Sequence, residues 1–238
     1  MTIILKELQK YASAKRKTSN EWFFKTGKGE YGEGDVFIGV SNPDARLVVK
    51  KFANSSFEDI KNSLASAIHE ERFVGVLILV TQYEKAKDKR TRLQVAEFYL
   101  QHLDRVNNWD LVDASAHKIV GQAILDGLIS EKLLDTLAKS KIMWERRVAI
   151  IATMAMIRVG QYDATLRIAE KLLHDTEDLM HKAVGWALRE VWKKDSACCE
   201  KFLLAHYPDL PRTTLRYAIE RIEEGKRKKF LMMKSDKI

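Results

Sequence analysis

The sequence predicts an all-α fold, and three observations carry that prediction. Proline occurs three times in 238 residues, at 43, 208 and 211, and it is the residue that interrupts a helix by removing a donor and crowding the preceding turn. Between 44 and 207 the apolar residues recur at helical spacing with almost no strand-like alternation. Similar helix openings then return at intervals of about 34–38 residues, the length of one two-helix repeat of the HEAT or armadillo kind. The expected architecture is a curved solenoid of stacked antiparallel helix pairs, with a Gly-rich loop or hairpin near residues 25–40.

In chain order, helices are predicted over about 2–18, 43–53, 57–67, 70–86, 89–105, 108–126, 130–139, 143–159, 162–175, 178–194, 196–206 and 211–225. Short connections make neighbours antiparallel. The repeated openings are "ERFVGVLIL" around Arg72, "NWDLVDAS" around Asp110, "ERRVAIIAT" around Arg147, "HKAVGWAL" around Lys182 and "LRYAIERI" around Arg216. Matching positions in successive repeats converge on one concave groove, so four basic anchors and one acidic anchor share it. The single repeat domain is expected over 1–225. The remainder, 226–238, opens with "KRKKFLMMK" and reads as a basic, frayed tail or an auxiliary phosphate contact.

The one long irregular stretch is "FKTGKGEYGEGDVFIGV" at 24–40, a glycine-supported loop or hairpin with Tyr31 near its tip. Its Gly27, Gly29 and Gly32 spell G-x-G-x-x-G, but no strand precedes them and no helix opens at the third glycine, which argues against a dinucleotide site. A loop this long in a compact array is expected to be functional or mobile.

Composition narrows the partners. With 41 Lys+Arg against 33 Asp+Glu, the net charge is +8 and the pI about 9.3, which favours polyanions, nucleic acid first. The longest apolar run, "FVGVLILV" at 73–80, is too short for a membrane span. The start carries charges inside its first apolar stretch and does not read as a secretory signal. The expectation is a cytoplasmic protein, with no membrane partner and no obligate protein partner, working as a monomer. Cys198 and Cys199 are adjacent, a poor geometry for a disulfide, and no histidine motif suggests a metal site.

The stretch "NNWDLVDASAHKIVG" at 107–121 should bury Val112, Ala116, Ile119 and Val120, yet it opens with a tryptophan and two carboxylates. Asn107 is placed to cap this helix, with Asp110 in the first turn where the helix dipole favours an anion. Asp113 lies beyond the cap on the face of Trp109 at i−4 and His117 at i+4, as a chemical group or as a solvated or His-paired acid.

"WDLVD" at 109–113, "MWERRVAI" at 143–150 and "HKAVGWALREV" at 181–191 resemble, in that order and register, the HEAT-like-repeat alkylpurine DNA glycosylases of the AlkD-type DNA alkylation repair family. The resemblance covers roughly 20–225. It implies that Asp113 is the catalytic carboxylate and that Trp109 packs on the lesion nucleotide. It further implies that Arg147 is the groove arginine, that Trp186 is a second aromatic wall, and that Arg189 supports the groove or a phosphate. Phe23 stands where the family's catalytic members carry tyrosine, and Lys25, Tyr31 and Lys182 complete the DNA-facing set. The implied reaction removes cationic N3- or N7-alkylated purines from double-stranded DNA without cofactor or metal. The alternative is a non-catalytic binder of branched or distorted DNA that uses the groove and the Gly27–Gly34 loop. A protein-binding scaffold is the third reading, disfavoured by the charge.

Overall fold

A computed structural model describes residues 1–233. The fold is all-α. Its helices are α1 (Ile3–Leu8), α2 (Ala14–Phe23), α3 (Asn42–Lys51), α4 (Phe57–Leu64), α5 (His69–Lys85), α6 (Lys89–Gln101) and α7 (Trp109–Leu125), followed by α8 (Lys132–Ala138), α9 (Met143–Ala152), α10 (Met154–Arg158), α11 (Asp163–Lys171), α12 (Asp178–Lys194), α13 (Ser196–Ala205), α14 (Arg212–Ala218) and α15 (Glu224–Met232). The chain divides into two compact units, Met1–Ile119 and a second beginning at Val120, with α7 running through the division.

In the first unit α5 is the central element, packed by α1, α3, α4 and α6. Its run from Phe73 to Val80 is buried on every side, which is why it reads as continuously apolar and not amphipathic. The helix expected over 2–18 is two helices. Ala12 is extended, and the Ser13 hydroxyl accepts from the Arg16 amide to start α2 afresh. The long loop forms turns and no hairpin. It is tied down by one isolated bridge, Val36 to Ile68, with the His69 amide donating to the Val36 carbonyl at 2.8 Å. Val112, Ala116, Ile119 and Val120 are fully buried, as their spacing requires.

The second unit is organised around α12, which packs on α9, α10, α11, α13 and α14. The helix expected over 143–159 breaks at Thr153, whose hydroxyl turns back to the Ile150 carbonyl at 2.7 Å. Residues expected to fray after 225 instead form α15. Phe230 is buried there, and the Tyr207 hydroxyl donates to the carbonyls of Phe230 and Met233, both at 2.8 Å. The segment is further held by Arg212, which donates to the Leu231 carbonyl at 3.0 Å, and by the Lys226–Glu200 pair at 2.5 Å; the end of the expected tail, 234–238, lies outside the described residues. No helix among the described residues is long and apolar enough to cross a membrane.

Close approach of α12 and α14 depends on Gly185. A Cβ there would sit 2.5 Å from Tyr217 Cβ and 2.6 Å from the Thr214 carbonyl oxygen. Gly185→Val is therefore expected to destabilise by about 1–3 kcal/mol through overpacking. In a thermal melt this lowers Tm by roughly 3–10 °C for a chain of this size; an unchanged Tm would show that the two helices separate without cost.

Candidate active site

Two consecutive residues at the start of α5 organise the irregular loop. The Glu70 carboxylate accepts the amides of Ile38, Gly39 and Val40 at 2.8–3.3 Å, which satisfies donors that a loop would otherwise bury unpaired. Gly39 is required there: its φ is +81°, and a Cβ would meet the Ser13 carbonyl oxygen at 2.1 Å. The neighbouring His69 is 2 % exposed, with Nδ1 3.0 Å from Asp35 Oδ2 and Nε2 2.9 Å from Asp110 Oδ2. Asp35 also pairs with the Arg72 guanidinium and accepts from Asn108 Nδ2 at 2.8 Å.

The titration of this cluster follows from its geometry. Burial pushes the His69 pKa down, but the charge and hydrogen bonds of Asp110 and Asp35 outweigh it and raise it to about 9. Burial pushes Asp35 up, whereas its hydrogen bond to His69 and the Arg72 charge prevail and hold it below the ordinary carboxylate range. At neutral pH the imidazolium thus sits between two carboxylates.

The same cluster sets the start of α7. Asn108, not Asn107, opens this helix: its Oδ1 accepts the Trp109 amide at 2.8 Å and its carbonyl accepts the Val112 amide. Asp110 Oδ1 meanwhile takes the Leu111 amide at 2.9 Å. The Trp109 ring stacks on Phe24 (5.1 Å between centroids, 10° between planes) and meets Phe23 edge-on at 5.8 Å. Phe24 and Phe37 in turn lie 4.8 and 4.6 Å from the His69 ring. A cleft of about 310 Å³ opens here, lined by Arg16, Asn20, Phe23, Phe24, His69 and Trp109 among others.

Asp113 follows Trp109 by one turn and is half-buried. Beneath it the Tyr99 hydroxyl is fully buried, 2.8 Å from Ser115 Oγ. Burial, and then the Asp113 charge, push that phenol above its ordinary range, so it stays protonated. Among the other expected site residues of this unit, Tyr31 donates to the Phe23 carbonyl at 3.3 Å, and Lys25 holds a left-handed φ of 54° with Nζ 5.2 Å above the Trp22 ring. Within the loop, the amides of Gly27 and Gly29 are already taken by the carboxylates of Glu30 and Glu33 at 2.9 and 2.8 Å. A G-x-G-x-x-G phosphate cradle needs those donors free.

In the second unit Arg147 is buried at 5 % exposure and donates to the Leu179 carbonyl at 2.7 Å. Lys182 pairs with Asp178 at 2.7 Å. Trp186 donates to Glu190 Oε1 at 3.2 Å, and Arg189 pairs with Glu220.

Sequence reasoning missed His69, Asp35, Asn108 and Phe24. They come from three segments, the irregular loop (Phe24, Asp35), the start of α5 (His69) and the start of α7 (Asn108), at unrelated spacings. The one local trace was "IHEER" at 68–72, a histidine opening a helix beside two acids and an arginine.

A family model described as DNA alkylation repair enzyme matches residues 4–222. Among solved structures, a "Predicted DNA alkylation repair enzyme from Enterococcus faecalis" is similar over 90 % of this chain and 97 % of that one, with TM-score 0.67 and 17 % identity. No curated protein matches.

The His69 charge makes a stability prediction whose sign is fixed. Because its folded pKa is raised from 6.5 to about 9, the added stability is complete below pH 6.5 and is lost as pH climbs through about 9. At about 1.4 kcal/mol per unit this amounts to about 3 kcal/mol. In urea denaturation the natural protein should exceed His69→Gln by more at pH 6 than at pH 10; a constant gap would contradict a charged imidazole between Asp35 and Asp110.

Proposed function

Since the chain belongs to the DNA alkylation repair enzyme family, a family whose name places it in DNA repair, we propose that it is a monofunctional glycosylase acting on cationic N3- or N7-alkylated purines in double-stranded DNA. The observation that carries this reading is the pairing of Trp109 with Asp113 one turn apart on α7. One face of the indole is packed on Phe24 and Phe23 meets it in a T-shaped contact, while Asp113 is half-buried.

An alkylated purine is already a good leaving group, so the chemical demand is on the sugar. As the N-glycosidic bond breaks, positive charge develops at the anomeric carbon, and a fixed carboxylate lowers the energy of that state most where water is partly excluded. Asp113 is the proposed group, opposing the oxocarbenium-like transition state and orienting the attacking water. Trp109 faces the cationic base, where cation–π attraction contributes roughly 0.5–2 kcal/mol. Phe23, Lys25 and Tyr31 in the first unit, and Arg147, Lys182, Trp186 and Arg189 in the second, are the proposed DNA contacts. The base proposed to be released carries an alkyl group at N3 or N7, because alkylation at either nitrogen gives the purine the positive charge that the pair would select and makes it a better leaving group.

Asp113→Asn should reduce release of 7-methylguanine from methylated duplex DNA by roughly 100-fold or more, the scale for losing a transition-state electrostatic partner, with DNA affinity retained. Release at an undiminished rate would remove Asp113 from the mechanism.

One observation favours a second reading, binding of branched or distorted DNA. Trp22 is 73 % exposed and Phe23 55 % exposed beside Lys15 and Lys25, a basic aromatic surface next to the glycine loop. On this reading, deleting 27–34 should erase the preference for junctions over linear duplex in band-shift titrations, and affinity should fall steeply with salt. Junction preference surviving the deletion would exclude the loop as reader.

A further inference from the structure

We propose that His69 is a positioning residue for Trp109 and Asp113, locking the first turn of α7 through its two ring nitrogens; this rests on the reading of α7 as the helix that carries the chemistry. Three routes run from this one imidazole to Trp109. Nε2 holds Asp110, the residue that follows the tryptophan. Nδ1 holds Asp35, which accepts from Asn108, whose own Oδ1 takes the Trp109 amide. The imidazole ring lies 4.8 Å from Phe24 at a 48° tilt, and Phe24 stacks on the indole. A histidine serving the core alone would need none of these to end at the same turn.

The arrangement requires both ring nitrogens to donate, since a carboxylate stands at each. The other charged groups around it are committed elsewhere. Arg72 on α5 pairs with Asp35, Glu70 on α5 gathers the loop amides, and Arg16 on α2 donates to the Gly39 carbonyl at 3.1 Å. Deprotonation therefore sets a lone pair against one carboxylate. Asp35 keeps Arg72 and Asn108, whereas Asp110 has more solvent access, 15 % against 7 % of the side chain, and no guanidinium. Asp110 is the partner that lets go, and the first turn of α7 loosens with it.

The test compares the natural protein, Asp110→Asn and His69→Gln from pH 6 to 10.5. Single-turnover release of 7-methylguanine, DNA affinity by fluorescence anisotropy, and NMR titration of the His69 ring and the Trp109 indole N–H are followed together. In the natural protein, rate and both NMR signals should change through one inflection near pH 9. Asp110→Asn removes one of the two anions and should carry all three inflections down by about one unit or more. His69→Gln should lose the inflection and be slower by about tenfold or more at pH 7, the scale of a small misplacement of reacting groups, with affinity nearly unchanged. A rate flat through pH 9, or an Asp110→Asn variant whose histidine inflection moves while its rate inflection does not, would overturn the proposal. If no protein releases base, the glycosylase reading fails on its own, and positioning is judged by the indole signal: tracking His69 supports it, and indifference to His69 overturns it.

Discussion

Burying a charge costs several kcal/mol unless its partners replace the water it loses, and the rest of the first unit is arranged around one place where that condition is met. His69 stands between Asp35 and Asp110, and Arg72 supplies the second cation, so two positive and two negative groups share a nearly dry site. Each carboxylate comes from a different segment. Asp35 belongs to the irregular loop and Asp110 to α7, while both cations stand on the first turn of α5. The loop's isolated bridge is the Val36–Ile68 pair, and it is held further by this cluster, by the amides collected by Glu70, by the Ser13 amide on the Ile38 carbonyl and by the buried Phe37. Deleting a partner would leave an uncompensated charge, so loss of any one member is costly to the others.

The fold was legible in the sequence because helical periodicity is a local property. The buried face of α7, from Val112 to Val120, follows from residue spacing alone. The departures have local causes whose weight the pattern does not reveal. Ser13 and Thr153 could each sit inside a helix or end one, and only tertiary packing decides which. Phe230 lies in a run dominated by lysine and arginine, where composition suggests solvation; its burial, with the Tyr207 and Arg212 bonds to nearby carbonyls, gives the opposite outcome. At the candidate site, what was legible is that Trp109 and Asp113 share one face of a helix, because an i, i+4 relation places them there. His69, Asp35 and Asn108 were not, since no spacing rule relates positions 35, 69 and 108.

The basic surplus of the chain and the acids of its candidate site are separate devices. Buried acids such as Asp35 and Glu70 are spent on His69, Arg72 and backbone amides, and so contribute little outward field. The glycine loop uses Glu30 and Glu33 in the same way on its own amides. The net +8 is then left largely to lysines and arginines outside these pairs, where it serves long-range attraction to a polyanion. Such attraction brings DNA to the surface without regard to the state of its bases.

Discrimination has to come from something that a negative backbone does not also satisfy. An alkylated purine differs from its neighbours chiefly by a positive charge on an aromatic ring, and the groups that answer it are an aromatic face and an anion. In the proposed function Trp109 and Asp113 are that pair, one turn apart on a helix whose first residues are held by Asn108 and Asp110. An anion in a protein built to attract phosphates weakens general binding slightly, and it repays that loss only if it stands where cationic charge develops. Its value therefore depends on placement, and on the proposed reading that placement depends on the imidazole at the start of α5, which holds Asp110 and, through Asp35, Asn108.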